Sequence, residues 1–182
     1  MPAGEVGMSV GGPMAGEHGA AMVALLFLPV ALMAGLTLVE GAARSGSAAA
    51  ARLRLALQET PAAARLALLG MLVSAAVHLG LAPGHLAEDP VLGALFVLDG
   101  AALGAVAAWS LVRPRAGWRL AGAVLLLAGV LAYAGYVVTG AESADAVGVA
   151  TKVVELAALG LLALPGRLAA PHPSRHFGGQ TR

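Results

Sequence analysis

The amino-acid sequence predicts an all-α integral membrane protein, a bundle of five transmembrane helices. Of its 182 residues, 59% are hydrophobic and only 12% are charged, whereas soluble domains usually carry about 25% charged residues. Five mostly apolar stretches each have about the 20 residues that a helix needs to cross a bilayer. No segment shows the alternating polarity that marks the roughly ten-residue strands of a membrane β-barrel. Helices are therefore expected throughout.

Gly and Pro separate the five stretches, because both residues interrupt helices through their backbone properties. Residues 83–90 are rich in both and are predicted to form the loop between the second and third spans. Residues 48–57 could form a short amphipathic helix at the membrane interface. The five spans are predicted at about 19–39, 62–82, 91–112, 118–139 and 146–164.

The spans form one membrane domain, residues 19–165, with a polar segment on each side. Residues 1–18 are predicted to be an extracytoplasmic arm. The first basic residue is Arg44, so the first apolar stretch lacks the basic leader of a signal peptide. Residues 166–182 are polar and contain Pro and Gly, and we predict a disordered cytoplasmic tail.

The arginines predict the orientation of the bundle, because basic loop residues favour the cytoplasmic side. All of them border the first or third loop or lie in the tail: Arg44, Arg52, Arg54, Arg65, Arg113, Arg115, Arg119, Arg167, Arg175 and Arg182. The opposite side carries acids and no loop base: Glu5, Glu17, Glu88, Asp89, Glu142 and Asp145. We therefore expect the N-terminus outside, the C-terminus in the cytoplasm, and a location in the bacterial cytoplasmic membrane.

Four ionisable residues fall inside the predicted spans, where such groups are costly and often functional. They are His78, Asp99, Lys152 and Glu155. Each lies about 7 to 14 Å below the outer surface at 1.5 Å per residue, so the four can form one buried cluster. The functional interpretation is an outward-facing site that responds to protons or ions. The alternative is a polar clamp that holds the second, third and fifth spans together.

A second group of side chains suggests a metal site on the outer face. His78, His85 and Glu88 are its main candidates, with His18 and Met14 as additions. Imidazole suits copper or zinc, and thioethers favour Cu(I). The spacing matches no defined motif, and the alternative is that the arm residues have no ligand role.

Several chemistries are disfavoured. The chain has no Cys, which excludes disulfides, thiolate zinc sites and iron–sulfur clusters. His78 alone lies within a span, whereas a bis-histidine haem needs paired histidines. The H-E-x-x-H motif of zinc proteases is absent. No catalytic constellation is present, so the chain is more consistent with a non-enzyme.

The stretch from His78 to Glu88 reads H-L-G-L-A-P-G-H-L-A-E. It resembles small bacterial multi-pass membrane proteins of the high-GC Gram-positive type, which carry H-L-x-L-A-P-x-H-x-x-E between two spans. The resemblance covers about residues 65–164 and implies a topology rather than an activity. Gly84 stands where those proteins usually have an acidic or polar residue, which could loosen any ligand set.

Three functional hypotheses follow. The first is a membrane protein with a proton- or metal-responsive site, acting in transport, sensing or homeostasis. The second is a non-catalytic accessory subunit of a larger membrane complex, in which the cluster is structural. The third is an enzyme acting on lipid or quinone, and no residue constellation supports it. Expected partners are the lipid bilayer, other membrane subunits or further copies of the chain, and no nucleic acid.

Overall fold

A computed structural model describes residues 14–113, 117–140 and 144–164, with side chains from Gly19 onward. The described residues form helices and no strand. The tail at 166–182 and most of the N-terminal arm lie outside this part of the chain. The six helices are α1 (Met14–Arg44), α2 (Ala48–Glu59), α3 (Ala62–Glu88), α4 (Pro90–Val112), α5 (Gly117–Val138) and α6 (Ala146–Ala163).

Five of these helices, all except α2, are long and apolar enough to cross a membrane. Within the described residues, the prediction of an all-helical fold with five long apolar helices is therefore confirmed. Helix α2 coincides with the predicted amphipathic segment. Its N-terminus is capped by Ser47, whose hydroxyl accepts a hydrogen bond from the Ala50 N–H at 3.3 Å. The chain thus has the architecture of a polytopic membrane protein.

The predicted loop at residues 83–90 is instead almost entirely helical, and this prediction was wrong. Helix α3 passes through Pro83 and ends only at Glu88. A proline removes one helical hydrogen bond and crowds the carbonyl four residues earlier. Close packing of α4 against this part of α3 offsets that cost. The approach is so close that a Cβ added to Gly93 of α4 would lie 2.4 Å from the backbone nitrogen of Leu86. The two helices are in backbone contact where the loop was expected.

A single residue, Asp89, joins α3 to α4. Its carboxylate accepts hydrogen bonds from the N–H groups of Val91 and Leu92, at 2.9 and 3.1 Å. Pro90 occupies the first turn of α4, where the missing N–H costs nothing. This tight connection keeps α3 and α4 antiparallel and adjacent.

Helix α3 is the centre of the bundle and packs against α1, α4 and α6. Small residues allow close approach: a Cβ on Gly70 would lie 2.9 Å from the Ala158 side chain of α6. The core is completed by large apolar side chains, among them Met71, Leu103, Leu126 and Leu162. Since α3 meets three of the other helices, its side chains can face several partners at once.

Helix α1 lies at the edge of the bundle. Its spanning part has no buried residue apart from Ala21, whose Cα would be 2.9 Å from a Cβ on Gly80 of α3. Its other faces expose large apolar side chains, with Leu26 70% and Leu38 73% exposed. Such surface is normal for a helix that faces lipid and too extensive for one that faces water.

Arg119 links the beginning of α5 to the end of α6. Its Nε and Nη2 atoms donate to the Leu162 carbonyl at 3.2 and 2.7 Å, and Nη2 also donates to the carbonyls of Leu161 and Leu164. The last carbonyls of a helix have no partner within the helix, and a cation there also complements the helix dipole. The guanidinium therefore fixes the ends of these two helices together.

Candidate functional site

The structure brings together the four ionisable residues predicted from depth along the spans. His78 lies on α3, Asp99 on α4, and Lys152 and Glu155 on α6. Ser74 lies one helical turn before His78 on the same face of α3. Because α3 packs against both α4 and α6, its polar face reaches the carboxylates of both neighbours.

Glu155 is the most buried member of the cluster, with only 1% of the residue exposed. Its Oε1 accepts hydrogen bonds from Ser74 Oγ at 2.6 Å and from Lys152 Nζ at 2.9 Å. Its Oε2 accepts a second bond from Lys152 Nζ at 2.8 Å. A buried carboxylate needs this kind of pairing, because an uncompensated charge in a low-dielectric medium is very costly.

His78 lies between two carboxylates. Its Nδ1 is 2.7 Å from Asp99 Oδ2, and its Nε2 is 3.7 Å from Glu155 Oε1. The two atoms of the shorter contact form no aligned hydrogen bond, since neither Nδ1 nor Oδ2 has a hydrogen-bond partner of suitable geometry among the described residues. They form an ion pair only when the imidazole is protonated. The imidazole side chain is only 9% exposed. A protonated imidazole would face a negative charge on either side.

One aromatic ring contacts His78, and further rings lie close to the cluster. The Phe96 ring of α4 meets the His78 ring edge-on, with centroids 5.2 Å apart. On its other side, Phe96 stacks on His85 at 4.5 Å and 16°. Tyr133 of α5 lies near Lys152, whose Nζ is 5.7 Å from the ring centroid. The cluster is therefore enclosed largely by apolar and aromatic groups, which strengthens charge interactions inside it.

Two glycines make room for the cluster where α5 and α6 meet. A Cβ on Gly129 would lie 3.4 Å from Glu155 Oε2 and 3.6 Å from Lys152 Nζ. A Cβ on Gly148 would lie 2.7 Å from the Tyr133 ring. The first turn of α6 is held by Asp145, whose carboxylate accepts the Gly148 N–H at 2.7 Å. Both glycines are thus close to the polar side chains they accommodate.

A cavity of about 260 Å³ opens beside the cluster, between α3, α4, α5 and the beginning of α6. His78, Asp99 and Lys152 form part of its wall. Most of the remaining wall is aliphatic or aromatic. Its other lining residues are Val77, Leu81, Leu92, Leu95, Phe96, Ala128, Gly129, Ala132, Tyr133, Tyr136, Asp145, Gly148 and Thr151.

The predicted metal set is placed differently. His85 stacks on Phe96, and Glu88 is exposed at the last residue of α3. The side chains of His18 and Met14 lie outside the described residues. Among the described residues, no group of three or more His, Asp or Glu side chains could hold a metal ion. The geometry therefore gives no support to a copper or zinc site.

Tyr133, Gly129 and Gly148 were not assigned to the site from sequence. Gly129 and Tyr133 are four residues apart and share a face of α5. A row of small and polar residues on that face was the sequence pattern that could have indicated their role. Such a row is hard to recognise in a chain with 25 Gly residues. The aromatic wall was missed for a different reason, because hydropathy does not show which helices are neighbours.

Comparisons with known proteins do not indicate a function, so the functional argument depends on the site. No protein-family model matches this chain, and neither the curated proteins nor the solved structures give a significant match. The resemblance to small bacterial multi-pass membrane proteins stays a prediction.

Proposed function

We propose that this polytopic membrane protein carries an outward-facing, proton-responsive site centred on His78, and that it acts in proton-linked transport or sensing. The observation that carries the proposal is the position of the imidazole, 2.7 Å from one carboxylate and 3.7 Å from a second. Imidazole is the side chain that exchanges protons near neutral pH. A histidine in this position couples the charge of the cluster to the pH outside.

Charge balance supports a switch at this histidine. With a neutral imidazole, Lys152, Glu155 and Asp99 together carry one net negative charge. Uptake of one proton by His78 brings the cluster to neutrality. Isolated charge inside a membrane protein is costly, so the two protonation states differ in their electrostatic energy and can favour different packing of α3, α4 and α6.

The outward orientation rests on the arginines. Six of them lie in the described residues, and all are at the end of the bundle opposite Asp89 and Asp145 in the predicted topology. The cavity is lined by Asp145 and by the first turns of α4 and α6. If the arginine end is cytoplasmic, the cavity opens towards the outside.

Nuclear magnetic resonance of ring-labelled histidine tests the proposal. The full chain would be reconstituted in lipid nanodiscs, and the His78 signal would be identified by its loss in the His78→Gln variant. The ring signal would be recorded in buffers from about pH 8 to about pH 5, and the proposal requires both the neutral and the imidazolium form to be observed. A His78 ring that stays in one form across this range would refute the proposal.

Two further variants test the role of the carboxylate. Asp99→Asn removes a negative charge beside the ring, 2.7 Å from Nδ1, and should change the pH response of the His78 signal. Glu59→Gln makes the same chemical change at an exposed position on α2, and it should leave that response unchanged. Equal effects of the two substitutions would show that Asp99 has no specific influence on His78.

A further inference from the structure

We propose that the cavity binds a small lipophilic organic monocation, of the amine or ammonium class, and releases it when His78 takes up a proton. This inference rests on the proposed function, since it assigns a ligand class to the same site. Three properties of the cavity carry it: its size and apolar wall, the charge that faces it, and its aromatic residues.

The size and wall define a small and mostly apolar ligand. A volume of about 260 Å³ is just below the range of about 300 to 1,000 Å³ that is typical of drug-sized ligands. Side chains of α3 and α4 such as Val77, Leu81 and Leu95 contribute an aliphatic wall. A hydrated ion would leave this wall in contact with water, whereas an organic ligand would cover it.

The charge that faces the cavity is negative when His78 is neutral. Lys152 lines the cavity, but its ammonium donates two hydrogen bonds to Glu155 and is neutralised there. Glu155 is 1% exposed and is not part of the cavity wall. Asp99 lines the wall, and its side chain is 24% exposed. The available electrostatic partner is thus a carboxylate, which selects a cation over an anion.

Aromatic residues reinforce this selection. Phe96, Tyr133 and Tyr136 contribute to the wall, from α4 and α5. The face of an aromatic ring attracts a cation, most strongly where the two are shielded from water. Tyr133 already lies near one cation, with Lys152 Nζ 5.7 Å from its ring centroid. A ligand ammonium near Asp99 would therefore be among carboxylate and π-electron partners.

His78 couples this binding to protons. The charged groups that face His78 are Asp99 from α4 and Glu155 from α6, with Lys152 beside Glu155. Tyr133 of α5 and Asp145 line the same cavity, and His85 stacks on Phe96. An imidazolium at 2.7 Å would neutralise Asp99 and repel a ligand cation. One proton bound replaces one organic cation, so the charge of the site is conserved. By linkage, the cation must weaken proton binding as much as the proton weakens cation binding.

Calorimetric titration of the purified full chain in detergent tests the inference with three probes of one carbon skeleton. They are phenethylammonium, neutral phenethyl alcohol and anionic phenylacetate. At about pH 8 we expect measurable binding of the ammonium alone, and roughly tenfold or more weaker binding at about pH 5.5. Preferential binding of the alcohol or of phenylacetate would overturn the ligand class, and an affinity for the ammonium that does not change with pH would overturn the coupling to His78.

Variants locate the binding within the structure. Asp99→Asn should weaken phenethylammonium binding roughly tenfold or more, while Asp99→Glu keeps the charge and should retain binding. Glu59→Gln is the matched control on exposed α2 and should bind like the unmodified chain. Unchanged binding in Asp99→Asn would overturn the proposal. Circular dichroism and the unfolding temperature of each variant separate a lost site from a lost fold.

The outcome can be distinguished from failure of the proposed function. If the His78 ring takes up a proton but phenethylammonium does not bind, the ligand class is wrong and the proton-responsive site stands. If phenethylammonium binds but the ring stays neutral, the coupling and the proton-responsive function are both wrong, and only a cation-binding cavity remains.

Discussion

The buried pair formed by Lys152 and Glu155 gives the most demanding test of the site. Replacing Glu155 with methionine removes both acceptor oxygens of the ammonium and the acceptor of the Ser74 hydroxyl. Removing one partner of a buried ion pair costs about 3 to 5 kcal/mol. Because Lys152 is 13% exposed and can extend towards the surface, we expect the lower end of that range, about 3 kcal/mol.

The size of the coupling follows from the double variant. Lys152→Met should also destabilise the chain, since it leaves Glu155 buried without its main cation. The variant with both methionines leaves no buried charge at this position, and replacing a whole pair by apolar residues is often close to neutral. The coupling energy, which is the departure from additivity, should therefore exceed about 2 kcal/mol, because that is already the cost of Glu155→Met less the residual cost of the double variant. Loss of the Ser74 hydrogen bond accounts for part of the remaining cost, at about 0.6 to 1.7 kcal/mol in membranes.

Reversible unfolding in mixed detergent micelles measures these free energies. Additive single variants, with no gain in the double variant, would refute the description of Lys152 and Glu155 as one buried unit.

Three further predictions concern the fold. Gly93→Ala should destabilise the chain by about 1 to 3 kcal/mol, because its Cβ would meet backbone atoms of α3. Arg119→Gln should cost about 1 to 2 kcal/mol through the lost hydrogen bonds to α6. The chain has no Cys, so introduced cysteines report topology: in intact cells, an impermeant maleimide should label Ala144→Cys and should not label Ala49→Cys.

Each of these predictions has a matched control. Gly104→Ala, also in α4, adds a Cβ with nothing within 4 Å and should stabilise the helix by up to about 1 kcal/mol. Arg113→Gln changes an exposed arginine at the end of α4 and should be nearly neutral. Unfolding measurements in which the control and the test variant behave alike would contradict the packing or capping argument. Labelling of the Ala49→Cys variant in intact cells would reverse the proposed orientation.

The sequence was sufficient for the helices but not for their contacts. Apolar length alone predicted five long helices, because the bilayer requires about 20 residues of each. The segment at Pro83 was misassigned because proline and glycine usually end a helix. Their cost is local, whereas the opposing contact between Gly93 and Leu86 is tertiary. A one-dimensional pattern contains no information about that contact.

For the site too, the sequence predicted the depth of each residue but not its contacts. Depth along the spans predicted that His78, Asp99, Lys152 and Glu155 lie at similar levels, since rise per residue is a property of each helix alone. The order of helices around the bundle decides which of them touch, and hydropathy does not determine that order. The aromatic wall that contains Tyr133 depends on the packing of α5 against α6, so the sequence did not predict it.

The helices of this bundle differ greatly in length, and the shortest span, α6, carries Lys152 and Glu155. Its 18 residues extend about 27 Å at 1.5 Å each, which is slightly less than a hydrocarbon core of about 30 Å. The 31 residues of α1 and the 27 of α3 have length to spare and can tilt. A change in bilayer thickness would thus be absorbed by the long helices but would act directly on α6. Through hydrophobic mismatch at α6, the thickness of the bilayer can therefore act on the site.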